Sequence, residues 1–233
     1  MSLSRKYGRT YHYPFSPGTS SDDRINNTYW DELSLIPSMI HTEKLDGENN
    51  CLSRYGVFAR SHAAPTVSPW TRTLRERWNL LKNDLGDYEI FGENLYAVHS
   101  ILYPEIEEHY YVFGVRELDR WLSWEETVFI ASAFDLPVVP VLKTVTDLSD
   151  RSAFENDLLA LVSQPGTFGS VDVQTQKPCT MEGVVTRNTN AYDVSDFRSN
   201  VFKYVRKGHV KTDEHWIRNW RRAPLKHERP CGE

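Results

Sequence analysis

Thr42-Glu43-Lys44-Leu45-Asp46-Gly47-Glu48-Asn49 is the stretch that decides the reading of this chain. Asp46-Gly47 is a strong two-residue hairpin signal. The residues before it, Met39 to Leu45, read as a strand. Lys44 therefore sits at a strand end beside a tight turn, with Asp46 two residues on. That is a place for a nucleophile. An amine attacks only when neutral, so desolvation or cationic neighbours are expected to lower its pKa. The plainer reading is an exposed lysine in an ordinary hairpin. Lys-x-Asp-Gly arises by chance in roughly one chain in twenty at ordinary residue usage, so the rest of the sequence has to decide.

The chain has 233 residues, enough for a substantial core, and 39% hydrophobic with 25% charged residues describes a soluble globular protein. No apolar run reaches the length of a membrane span, so no membrane partner is expected. The first residues lack a secretory leader. Cys51, Cys179 and Cys231 are odd in number and far apart. They outline neither a metal site nor a disulfide framework, which reads as reduced thiols and a cytoplasmic protein. A net charge of -5 argues against a nonspecific nucleic-acid coat but leaves room for a local basic groove.

Residues 5–37 are turn-rich and read as an extended arm, with a short helical turn at most. Residues 39–60 read as a β-meander with turns at Asp46-Gly47 and Tyr55-Gly56. Trp70, Leu74, Trp78, Leu81 and Leu85 recur at helical spacing, and the basic face of that helix reads as solvated. Tyr88–Glu93 and His109–Glu117 are strand candidates. Ser123 and Glu126 form a capping box for a helix to about Phe134. Pro137–Leu142 reads as a strand, Asp147–Val162 as a helix, Gln164–Gly169 as a loop, Met181–Arg187 and Val201–Val205 as strands, and Asp213–Arg222 as a terminal helix. Hairpin-type connections dominate, so the class is α+β with antiparallel sheets.

Five further segments accompany the lysine. Val57-Phe58-Ala59-Arg60 places an arginine on the strand after the Lys44 turn. Phe91-Gly92-Glu93-Asn94 ends a strand with a carboxylate. Tyr110-Tyr111-Val112-Phe113 is an aromatic strand. Glu182-Gly183-Val184-Val185 opens one with a second carboxylate. Val201-Phe202-Lys203-Tyr204-Val205-Arg206-Lys207 ends one in a basic cluster. Singly, each has an ordinary reading: Glu93 and Glu182 as turn carboxylates, Phe113 as core, Arg60 as a surface ion-pair partner. His62, His99 and His209 show no paired ligand spacing. Asp22-Asp23 reads as a helix cap in preference to a metal pair.

Taken in order, the set resembles the covalent nucleotidyltransferases: ATP-dependent RNA and DNA ligases and GTP-dependent mRNA capping enzymes. It is more similar to RNA ligases of the second bacteriophage type and small bacterial relatives, where an asparagine follows the lysine by five residues, as Asn49 follows Lys44. The motifs span about residues 40–207. The segments from Ser16-Pro17-Gly18 to Asp23 and from Lys207 to Trp216 also look like those of the small bacterial proteins.

The resemblance implies a single nucleotidyltransferase domain over 1–233, of the ATP-grasp-like type. Two antiparallel sheets flank a nucleotide groove, helices lie outside, 1–37 is an N-terminal arm and 208–233 a short helical tail. About 26 residues after Lys207 are too few for a C-terminal oligonucleotide-binding barrel. It also implies ATP and Mg²⁺ or Mn²⁺ as cofactors, and RNA with 5′-phosphate and 3′-hydroxyl ends as partner. Lys44 would take AMP. Lys203 would hold the α-phosphate and help keep Lys44 neutral. Glu182 and Glu93 would serve the metal and the ribose, and Arg60 the ribose or a phosphate. Phe113 would stack on adenine and Glu43 accept from its amino group. Asn49 would orient the α-phosphate or a metal-bound water, with Asp46 and Gly47 completing the nucleotide contacts. A DNA ligase, a capping-type enzyme and a non-catalytic RNA-end or nucleotide sensor are the alternatives. The sequence departs from the family at Val205, where a second lysine is usual. Strand alternation puts Arg206 on the face opposite Lys203 unless the strand breaks after Tyr204. With Gly208 downstream, such a break is the favoured expectation.

Overall fold

Met39–Lys44 and Glu48–Ser53 are both strands, as expected, but they belong to different sheets. Asp46-Gly47 therefore makes no hairpin, and the expected meander is split. The chain crosses between sheets here because each strand finds its partners far away: Met39–Lys44 pairs with Gly183–Asn188, and Glu48–Ser53 with Tyr88–Asn94. Gly47 is required at the crossing, since a Cβ there would lie 2.5 Å from the Asn94 carbonyl oxygen.

The computed structural model describes residues 5–61, 64–207 and 220–229. In chain order the strands are β1 (Tyr11–His12), β2 (Met39–Lys44), β3 (Glu48–Ser53), β4 (Gly56–Ala59), β5 (Tyr88–Asn94), β6 (Ile101–Leu102), β7 (Tyr110–Glu117), β8 (Arg120–Trp121), β9 (Val141–Val145), β10 (Val171–Asp172), β11 (Gly183–Asn188), β12 (Tyr192–Asp193) and β13 (Val201–Val205). The first sheet has the order β1-β13-β11-β2-β9, the second β12-β8-β7-β5-β3-β4, and β6 pairs with β10. The pairs within these sheets are antiparallel except β1 against β13.

Helices α1 (Tyr29–Leu33) and α4 (Arg151–Val162) cover the outer face of the first sheet: Tyr29, Leu33, Phe154 and Leu158 pack with Met39, Val184 and Phe202. Helices α2 (Arg72–Leu81) and α3 (Trp124–Ala133) cover the second through Leu74, Ile130 and Ala131 against Leu52, Ile90 and Val112. Between the sheets lies a third cluster, in which Cys51, Phe91 and Phe113 meet Val185 and Val201. Helices outside and a groove inside follow, with the α+β class as expected. The remaining short helix, α5 (Phe197–Asn200), leads into β13.

Ser123 caps α3 in the expected box with Glu126. Asp150 caps α4, so that helix starts later than Asp147. Pairing to β2 begins only at Val141, because residues 137–139 hydrogen-bond instead to Val112 on β7. Of the expected terminal helix, residues 213–219 lie outside the described residues. Residues 220–222 are not helical, and Arg222 bridges to Ala97.

Candidate active site

The register of the first sheet aligns the cations. Gly183 stands opposite Lys44 on β2 and Val205 on β13, while Val185 stands opposite Thr42 and Lys203. Alternation then puts Lys44 and Lys203 on the groove face. Gly183 makes this spacing possible, since a Cβ there would come within 1.9 Å of the Tyr204 carbonyl oxygen. On the second sheet Asn49 stands opposite Glu93. The Glu93 carboxylate accepts the Gly47 N–H at 3.1 Å and so ties the crossing to β5. The two sheets enclose a groove of about 980 Å³, and all eleven residues singled out from the sequence line it.

Lys44 Nζ lies 2.6 Å from Glu182 Oε1. Burial pulls the Lys44 pKa down, but Glu182, Glu93 and Asp46 outweigh it and the ammonium is held above its ordinary value. This reverses the expected lowering. The sequence argument counted cations near the amine, whereas the fold surrounds it with carboxylates. Burial, with Glu182 adding, pushes Glu93 up to about 7. Lys203 moves down, through burial and the neighbouring Lys44 and Arg60.

Asp46 borders the groove, yet its Oδ2 is taken by the N–H groups of Ser100 and Ile101 and by the Ser100 hydroxyl, at 2.7–2.9 Å. It latches the crossing to β6. Glu43 lies on the face of β2 opposite Lys44. Its Oε2 accepts the Thr167 N–H at 2.7 Å, and its buried Oε1 has no hydrogen-bond partner among the described residues. Phe113 is buried under the Arg187 guanidinium, 5.1 Å from its ring centre, with Tyr7 edge-on at 5.0 Å. Arg60 is exposed and lies one residue past the end of β4, not on the strand as expected. Strand β13 runs through Val205 and stops there, one residue later than the favoured break. Val205 and Arg206 both border the groove, and the Arg206 N–H donates to the Glu182 carbonyl at 3.0 Å. Lys207 is exposed. His62 and His209 lie outside the described residues, and no cluster of three metal-binding side chains occurs among those described.

Sequence reasoning missed His12 and Asp23. The arm pairs alongside β13 with His12 opposite Lys203. Asp23 caps no helix, against the expectation. Its Oδ2 closes the Ser20 turn, and its Oδ1 accepts from Lys203 Nζ at 3.2 Å, with His12 Nε2 at 3.0 Å. The Ser20-x-x-Asp23 spacing announced the turn, but nothing local announced its partner. Arg187 and Tyr7 were missed for the same reason.

The RNA ligase family profile matches residues 37–205, from the start of β2 to the end of β13. The chain belongs to the RNA ligase family. No curated protein matches it. Among solved structures, an apo variant of the Naegleria gruberi RNA ligase superimposes with a TM-score of 0.55 at 16% identity, over 84% of this chain and 57% of that one. An archaeal ATP-dependent RNA ligase gives 0.53 at 17%, over 87% and 48%. A variant of the Naegleria gruberi RNA ligase with ATP and Mn gives 0.52 at 15%, over 92% and 62%. These likenesses show the nucleotidyltransferase fold, and this family member spans about half to three-fifths of the lengths of the ligases it matches. No helix among the described residues is long and apolar enough to cross a membrane.

Proposed function

We propose that this chain carries out ATP-dependent RNA end joining through a lysyl-AMP intermediate. The observation that carries the reading is the Lys44–Glu182 contact of 2.6 Å, at a sheet crossing inside a groove bordered by Glu93, Lys203 and Arg206. Lys44 Nζ, once it has lost a proton, forms the P–N bond to the α-phosphorus of ATP. The bond to the bridging oxygen breaks and pyrophosphate leaves. AMP then passes to an RNA 5′-phosphate, and a 3′-hydroxyl displaces it to make the phosphodiester.

Lys203 supplies positive charge to the α-phosphate, and Arg206 a second contact in place of the absent lysine. Arg60 meets the ribose or a phosphate at the groove mouth. Asn49, whose buried Oδ1 has no hydrogen-bond partner among the described residues, faces the phosphate end. Glu93 and Glu182 fit Mg²⁺ or Mn²⁺, since such ions bind through one or two carboxylates plus nucleotide phosphates. Glu93 and Glu182 would hold such an ion, and its charge would neutralise the phosphates. Phe113 and Val185 border the base end. Glu43 is assigned to holding the 166–170 loop there in preference to reading the adenine amino group, and Asp46 to holding β6.

The Naegleria gruberi RNA ligase variant with ATP and Mn supports the cofactor assignment. One catalytic unit over 1–233, with 1–37 as its arm, belongs to this reading, as does a cytoplasmic setting, which the free Cys51 and Cys179 support. Incubation with α-labelled ATP and either metal should label the protein on a denaturing gel, and labelled GTP should not. Lys44→Ala should take no label while keeping the wild-type melting temperature; labelling of that variant would refute the covalent site. Nicks with an RNA 3′-hydroxyl terminus should seal faster than all-DNA nicks, and equal rates would remove RNA as the substrate.

A further inference from the structure

We propose that Asp23, carried into the groove by the N-terminal arm, is a positioning residue that presents the Lys203 ammonium to the α-phosphate. This rests on the adenylylation reading above. Lys203 projects from the middle of a strand on a flexible four-carbon stem, which by itself leaves the ammonium free to swing. The arm removes that freedom. Its β1 hydrogen-bonds along β13, with Tyr13 N–H donating to the Lys203 carbonyl at 3.0 Å and Gly18 N–H to that of Val205 at 2.9 Å. Ser16 adds a side-chain clasp, its Oγ accepting the Val205 N–H at 2.9 Å.

Asp23 is then aimed from two sides. The Ser20 N–H and hydroxyl, each at 3.0 Å, fix Oδ2, which leaves Oδ1 for Lys203 and His12. His12 is 1% exposed and stands beside Lys203 in register, so it walls off one side of the stem. Lys203 is thus faced by Asp23 and His12 from the arm, Lys44 from β2 and Arg60 beyond β4. Among these Asp23 alone is an anion, and the other charged groups push the Lys203 proton off.

The test compares Asp23→Asn, Asp23→Glu and Ser20→Ala with wild type in single-turnover adenylylation of Lys44, across ATP concentration and pH. Asp23→Asn should slow the step at saturating ATP by about ten- to a hundredfold, the scale set by a misplaced catalytic contact. Its high-pH limb, where Lys203 loses its proton, should move to lower pH. Asp23→Glu should restore part of the rate. Ser20→Ala, an exposed change that only loosens the aim of Asp23, should slow the step about fivefold, as loss of one hydrogen bond implies. Asp23→Asn or Ser20→Ala with the wild-type rate and high-pH limb would overturn the proposal, as would a lower melting temperature with an unmoved limb. A wild-type protein that takes no label from ATP would overturn the adenylylation reading and this proposal with it.

Discussion

Lys44 and Glu182 form an ion pair of 2.6 Å between neighbouring segments of the first sheet, and it holds the proton on Lys44. Without nucleotide and metal, the pair keeps Lys44 charged and unreactive. Amine-reactive reagents should therefore modify Lys44 more slowly than surface lysines at pH 8. Glu182→Gln should speed that modification, because it removes the nearest anion holding the proton. Mass-spectrometric mapping of labelled lysines checks both. The sign for stability follows: a raised lysine pKa gives a contribution present in full below the unfolded value of about 10.5 and lost as pH rises through the folded one.

Glu93 has the opposite linkage. Its folded pKa of about 7 lies above the unfolded carboxyl value, so its ionisation costs stability as pH rises from the unfolded value to about 7. Glu93→Gln, which keeps an oxygen for the Gly47 N–H, should melt higher than wild type at pH 8 and show a smaller gain at pH 5. The same variant should lose adenylylation. Divalent-ion binding by the wild type should weaken below pH of about 7, as calorimetry at two pH values would show.

Gly183→Ala should destabilise the protein by about 1–3 kcal/mol, because its Cβ must push β13 away. The displacement parts Lys203 from Lys44, so adenylylation should fall even where the chain stays folded. Denaturant midpoints read the first effect and single-turnover labelling the second.

Arg206→Ala should slow adenylylation measurably, since Arg206 borders the same groove as Lys203. Exposed Lys207 should tolerate alanine with little change. Equal rates for Arg206→Ala and wild type, in both adenylylation and sealing of pre-adenylylated ends, would mean that Lys203 and the metal meet the phosphate charge without it.

The ordered motifs were legible because Lys44, Glu93, Glu182 and Lys203 lie at strand ends or on the alternate face of a strand, and such placement shows in period-two patterns. The outer helices were legible from their apolar stripes and caps. The crossing at Asp46-Gly47 was not, because turn preference is local while the partner of β2 lies some 140 residues downstream. The raised Lys44 pKa was hidden for the same reason. Asp23 and His12 gained their roles only through the arm's pairing with β13, and no spacing within residues 5–37 encodes that contact.

The arm also touches the other sheet. The buried Arg116 on β7 donates to the carbonyls of Arg5 and Lys6, and Tyr7 packs its ring against Phe91, Phe113 and Trp121. A few residues later the same segment is a strand on β13. Residues 5–12 thus stitch the two walls of the groove together at one end, while Leu45–Gly47 joins them beside the nucleophile. Any widening of the groove has to work against both seams. The width of the mouth and the aim of Lys44 are therefore set by a single mechanical linkage.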